Sequence, residues 1–295
     1  MVSCRWVERQ VSHLTASMGV FRLDAASDFF FEPTPGFYGF ISQGVTSALN
    51  DAMQMLARHI GSPTAPVIEP WDGPVMGLTA GSHDFAAGRE PPGLIRHDGP
   101  FRSRIHLALE NMHSPFILGG ILAHELTHHY MAGRGIALPD AQQNERLTDV
   151  ASVYIGLGKL TLNGYEPMTW AVPRGDGLVR YTYRVGYLES ADLALVMAQV
   201  CAMRAIEPHA PYTNLTDQAR GWMGLAAPKV RDYELRKSLV GERQCPKCGK
   251  MATFSFGDSD DLVYCSNCGW EWEAILRDLH RRRTRRWWHI WKWLR

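Results

Sequence analysis

Apolar residues recur every three or four positions from Val45 to Ile60, at Val45, Leu49, Met53, Leu56 and Ile60, and the run stops at Gly61. That spacing predicts a helix with one buried stripe. A second helix is expected over Ser114–Gly133, with Ser114 placed to cap, Pro115 at the first helical position and Gly133 just past the end. A third begins at the capping residue Asp140 and carries the run AQQNERLTDVASVYIGLGKL to about Leu160. Ser190 caps a helix predicted over Ser190–Ile206, and residues 212–242 hold one or two more.

Between residues 62 and 113 the pattern changes. Pro and Gly punctuate the short runs Ala65–Ile68, Pro74–Leu78, Gly93–Arg96 and Ser103–Leu109, which predicts a small sheet with loops. Arg104, His106 and Ala108 alternate with Ile105, Leu107 and Leu109, the period of a strand with one buried face. That strand leads into the second helix, and its free edge is expected to be open to strand addition by a substrate. A further strand is predicted over Gly177–Gly186. Residues 1–39 read as an ordered lead-in, and no repeat occurs at solenoid periods. The expected fold class is α+β, with a main domain over residues 40–240.

Composition narrows the class. With 295 residues, 45% hydrophobic and 11% aromatic, the chain can bury a sizeable core. Arg5, Glu8 and Arg9 interrupt the apolar run that a signal peptide needs, and no segment offers eighteen consecutive apolar residues. The expected location is the cytoplasm. Four of the six cysteines form two CxxC pairs, Cys245–Cys248 and Cys265–Cys268, which in a chain without an export signal points to metal-bound thiolates rather than disulfides. The sixteen intervening residues give the spacing of a closed Cys4 structural zinc site, and residues 243–272 resemble a zinc ribbon. Cys4 and Cys201 are read as inert thiols.

The net charge of +1 hides an asymmetry. Residues 281–295 hold six Arg, one Lys and no acid, so the rest of the chain sums to −6 by subtraction. As a helix, this part of the 273–295 tail would align Trp287, Ile290, Trp291 and Leu294 opposite Arg285, His289 and Lys292. Basic residues beside tryptophans suit an anionic membrane surface or a protein partner. Nucleic acid is a weaker expectation, because the segment between the CxxC pairs holds Asp258, Asp260 and Asp261 and almost no basic residue.

The chemistry lies in Gly120–Tyr130, GILAHELTHHY, where His124, Glu125 and His128 form HExxH. Residues four apart share a helix face, so two imidazoles can grip one metal ion with Glu125 beside its open position. His129 points about 100° away around the helix and is left out of the site. Seventeen residues after His128 stands Glu145, within Asn144-Glu145-Arg146-Leu147-Thr148-Asp149. If the third helix folds back on the second, Glu145 completes a His2Glu site and Asp149 reaches the outer nitrogen of a ligand histidine, fixing its tautomer.

HExxH followed by NExxTD resembles the gluzincin metallopeptidases of the thermolysin type, over Ser103–Gly158, about a fifth of the chain. The resemblance implies a zincin-like domain with His124, His128 and Glu145 as ligands of a catalytic zinc, Glu125 as general base and Asp149 supporting a ligand. It also implies a downstream His or Tyr to stabilise the oxyanion, and Tyr181, Tyr183, Tyr187 and His209 are candidates by position. The expectation is a zinc endopeptidase acting on a protein or peptide, with one catalytic and one structural Zn2+, cytoplasmic or peripherally membrane-associated. The competing expectation is a non-catalytic zinc-binding regulatory or interaction protein that uses ribbon and tail to hold a protein partner, membrane surface or nucleic acid.

Overall fold

The computed structural model describes residues 2–19, 29–70, 93–107, 114–165, 168–174, 177–183, 186–207, 209–257 and 262–271, with backbone alone at 93–94, 168–174 and 177–183. The chain is a mixed α+β protein and divides into two compact units, Val7–Ala226 and Ala227–Arg295 with Val2–Trp6. No helix among the described residues is long and apolar enough to cross a membrane. The expectations placed on Pro74–Leu78, on Ala108 and Leu109, and on the 281–295 tail fall outside the described residues.

In the first unit, α1 (Cys4–Met18) and α2 (Pro35–Ile41) fill much of the stretch read as a lead-in. The amphipathic stripe becomes α3 (Thr46–His59). Leu49, Met53, Leu56 and Ile60 are buried as the period requires, while Val45 forms the N-cap and is 51% exposed. Strands β1 (Val67–Pro70), β2 (Gly93–Gly99) and β3 (Arg102–Leu107) make a three-stranded sheet in the order β1-β3-β2. The alternation in β3 holds, with Ser103, Ile105 and Leu107 buried. Its edge is not free, however: β1 pairs with it in parallel on one side and β2 antiparallel on the other. Among the described strands β2 is the edge strand next to the HExxH helix, because the hairpin turn after Gly99 folds it onto β3.

The HExxH segment is α4 (Pro115–Gly133), capped by Ser114, whose hydroxyl accepts the Ile117 amide N–H. Every residue from Ile117 to Met131 except His128 is buried. A helix apolar on all sides belongs inside a core, and α4 packs against α2, α3, α5, α6, β2 and β3. Gly133 is the last helical residue, and the left-handed turn falls at Gly135 (φ +69°).

The next helix, α5 (Ala141–Tyr154), is capped by Asp140, which accepts the Gln143 N–H at 2.7 Å. It stops short of Leu160. Gly156 takes φ +94°, its carbonyl accepts the Phe31 N–H at 2.8 Å, and a Cβ there would strike the Phe29 carbonyl oxygen. The chain therefore turns and restarts as α6 (Gly158–Gly164). Strand β4 (Met168–Arg174), which the sequence did not announce, pairs antiparallel with β5 (Gly177–Tyr183). Helix α7 (Ser190–Met203) has Glu189 at its N-cap, and Ser190 instead donates to the Tyr165 carbonyl at 3.1 Å. The last helix among the described residues, α8 (Asp217–Lys237), carries Pro228 within it.

In the second unit, β6 (Gly241–Gln244), β7 (Met251–Phe256) and β8 (Val263–Cys265) form an antiparallel sheet in that order. Its core is small: Leu239, Ala252, Phe254 and Val263 around Cys245 and Cys265.

Candidate metal centres

Because α4 and α5 pack together, residues from two helices meet at one point. His124 and His128 lie one turn apart, so their rings project from the same face of α4. Their Nε2 atoms are 3.1 Å apart, and Glu145 Oε2 of α5 lies 3.1 Å from one and 3.0 Å from the other. These three atoms can hold a metal ion. His124 is buried, whereas His128 and Glu145 are partly exposed, which leaves the group an open side.

The outward nitrogens are held as a ligand pair requires. Asp149, fully buried one turn after Glu145, accepts the His124 Nδ1–H on Oδ1 at 3.1 Å. The same oxygen accepts the Tyr165 hydroxyl, and Oδ2 accepts the amide N–H groups of Tyr187 and Leu188, each at 2.7 Å. One carboxylate thus gathers α4, α5, the end of α6 and the segment before α7. Gly186 makes this possible: it has φ +78°, and any Cβ would overlap the Tyr165 hydroxyl. For His128, Thr148 Oγ1 lies 3.4 Å from Nδ1 and already donates to the Asn144 carbonyl at 3.0 Å, so the hydroxyl is left to accept the ring proton.

The electrostatics follow from burial and these contacts. Without metal, burial opposes charge on His124, but its bonds to Asp149 and Glu145 outweigh that and hold it well above the ordinary value. Burial raises Glu145, yet hydrogen bonds from His124 and His128 prevail and hold it well below the usual carboxylate range. Glu125 is buried beside them, and burial raises its carboxyl against the pull of both histidines. No hydrogen bond to the Glu125 carboxylate is found among the described residues.

Of the four oxyanion candidates, Tyr187 stands at the site, its ring stacked on His124 with centroids 6.4 Å apart. The side chains of Tyr181 and Tyr183 lie outside the described residues, and His209 is exposed beyond α7. His129 is excluded as expected: it is buried and bonded to Ser103 and Thr64. Periodicity gave no warning of Tyr165 or of the Tyr187 and Leu188 amides.

The second centre is the Cys cluster, whose four Sγ atoms lie within 4.8 Å of one another and can hold a metal ion. The two CxxC segments adopt one geometry twice. Gly249 and Gly269 have φ +69° and +65°, their N–H groups bond the Cys245 and Cys265 carbonyls at 2.8 and 2.9 Å, and the Cys245 and Cys265 amides bond Lys250 and Trp270 carbonyls. Burial raises the Cys245 thiol, but the amides of Cys248 and Lys247 and the neighbouring cysteines outweigh it and pull it down to about 7. No protein-family model, curated protein or solved structure matches this chain.

Proposed function

We propose that the chain is a zinc-dependent peptidase of the gluzincin kind, hydrolysing a peptide bond of a protein or peptide at His124, His128 and Glu145. The observation that carries the reading is the convergence of two imidazole Nε2 atoms and a carboxylate oxygen beside the buried Glu125. Zinc fits this donor set. Ligands at ~2.0–2.1 Å around a tetrahedral zinc lie ~3.3 Å from one another, and the three atoms here form a triangle with sides of 3.0–3.1 Å. Three protein ligands leave one position for water, as in catalytic rather than structural zinc sites.

When bound, zinc lowers the pKa of its water to ~7 and polarises the substrate carbonyl. The chain's own residues supply the rest. Glu125 takes the proton of the attacking water on a carboxylate oxygen and passes it to the leaving amine, a role suited to a buried carboxyl with a raised pKa. Asp149 keeps the His124 proton on Nδ1, so that Nε2 offers its lone pair to the ion. Among the candidates whose side chains are described, Tyr187, beside His124, is the best placed to donate to the oxyanion. The edge of β2 that no described strand pairs would offer main-chain groups to an extended peptide. In the second unit, four thiolates would close a structural zinc site and staple a sheet too small to hold itself.

Metal analysis is expected to give two zinc ions per chain, one per centre. Glu125→Gln is expected to retain both and to lower chelator-sensitive cleavage of denatured casein by about 100-fold or more. Cleavage that survives Glu125→Gln unchanged would refute the peptidase reading.

A further inference from the structure

The four cysteines of the second unit differ in what surrounds them. In each CxxC segment the first cysteine lies inside: Cys245 and Cys265 are 0% and 2% exposed and form part of the small core. The second lies further out: Cys248 is half-buried and Cys268 is exposed. The Cys268 Sγ nonetheless stands 3.9 Å from the Sγ of buried Cys245. Thiolates at ~2.3 Å around a tetrahedral zinc lie ~3.8 Å from one another, so this pair has the separation that the ion requires. The same geometry sets a solvent-facing sulfur against a shielded one.

Contacts to β7 hold the pair opposite each other. Cys245 follows β6, whose last residue, Gln244, is in register with Met251 of β7. Cys268 lies in a turn pinned to the same end of β7. There the Asn267 side-chain amide donates to the Met251 carbonyl at 2.9 Å, and the Ser266 N–H donates to the Thr253 carbonyl at 3.0 Å. The Ser266 hydroxyl in turn accepts the Thr253 N–H at 3.2 Å. Metal ligation keeps a cysteine as thiolate, the nucleophilic form, and oxidation goes to thiolates that solvent reaches. The two remaining thiols, Cys4 and Cys201, are buried.

We propose that Cys268 is an oxidation site for hydrogen peroxide, with Cys245 as the thiolate that resolves it. The Cys268 thiolate attacks a peroxide oxygen: the S–O bond forms, the O–O bond breaks, the sulfur loses two electrons and one hydroxide leaves. The Cys245 thiolate then attacks the Cys268 sulfur, the S–S bond forms and the oxygen departs as a second hydroxide. Two thiolates and one peroxide thus give one disulfide and two hydroxides, which take up protons from the solvent. The site is left with Cys248 and Cys265, too few ligands for a closed centre, and releases its zinc. The sheet around Leu239, Ala252, Phe254 and Val263 then loses its staple. The inference rests on the reading of this cluster as a zinc site and is independent of the peptidase reading.

The test uses the full-length, zinc-loaded protein and hydrogen peroxide, with a metallochromic dye reading zinc release against an untreated sample. One equivalent of peroxide is expected to release one zinc per chain, which rebinds after treatment with dithiothreitol. Dimedone present with the peroxide should label Cys268 before any other cysteine, and peptide mapping of the unlabelled product should find a Cys245–Cys268 disulfide. Cys268→His keeps four ligands without an exposed thiolate and is expected to slow release about tenfold or more. Labelling and mapping on the wild type decide the assignment if that variant does not hold zinc. First labelling at Cys248, a disulfide between any other pair, zinc retained after the peroxide is consumed, or equally fast release from zinc-loaded Cys268→His overturns the proposal. If metal analysis finds no zinc on the cluster, the zinc reading falls and the proposal falls with it. If zinc is bound there and stays, only the proposal falls.

Discussion

Asp149→Asn isolates what one buried carboxylate contributes, because the substitution preserves size and removes charge. Asp149 accepts four donors: His124 Nδ1–H and the Tyr165 hydroxyl on one oxygen, the Tyr187 and Leu188 amides on the other. An asparagine can offer its oxygen to only one of these pairs. The two amides belong to the backbone and cannot reverse, so the oxygen faces them and the NH2 group faces Tyr165 and His124. The tyrosine hydroxyl can rotate to accept. His124 can accept only by moving its proton to Nε2, which aims it at the point shared with His128 and Glu145. Metal affinity is expected to fall ~10- to 100-fold, which is ~1.4–2.7 kcal/mol. The metal-free fold weakens separately, since each charge-assisted bond drops from ~1.5–3 to ~0.5–1.5 kcal/mol. Over the two 2.7 Å amide bonds that is about 2–3 kcal/mol. Competition against a chelator gives the first quantity, and urea denaturation without metal gives the second. A folded Asp149→Asn protein that binds metal within threefold of wild type, with the His124 proton still on Nδ1, would refute the reasoning.

Two further outcomes follow from the same centre. In the metal-free protein the raised His124 stabilises the fold fully below its ordinary value of 6.5, and that gain disappears as pH rises through its folded value. The depressed Glu145 stabilises above its ordinary value of 4.5 and loses that gain as pH falls through its folded value, so the pair contributes most between these two values, measurable as urea midpoints against pH. Because metal must displace the His124 proton, affinity should rise with pH and binding should release a proton, detectable as a buffer-dependent heat in calorimetry. Gly186→Ala forces a Cβ into a left-handed residue and onto the Tyr165 hydroxyl. It should cost more than the ~1–2 kcal/mol of backbone strain alone and weaken metal binding by moving the Tyr187 and Leu188 amides, both checked by denaturation and chelator competition.

The sequence by itself determined what depends on neighbours along the chain. The period of α3, the caps at Ser114 and Asp140, the shared face of His124 and His128, the spacing of Glu145 from Asp149 and the paired CxxC turns are local, and each was legible from residues a few positions apart. The end of α5 was not legible, because Gly156 turns there only where Phe29 and Phe31 cross it. Only the tertiary structure decided that β3 is covered on both edges and that Asp149 is held by Tyr165 and by amides nearly forty residues away. The physical reason is common to these cases. A hydrogen bond between distant residues leaves no periodic trace in sequence, because any donor of suitable polarity serves once packing has brought it to a buried acceptor.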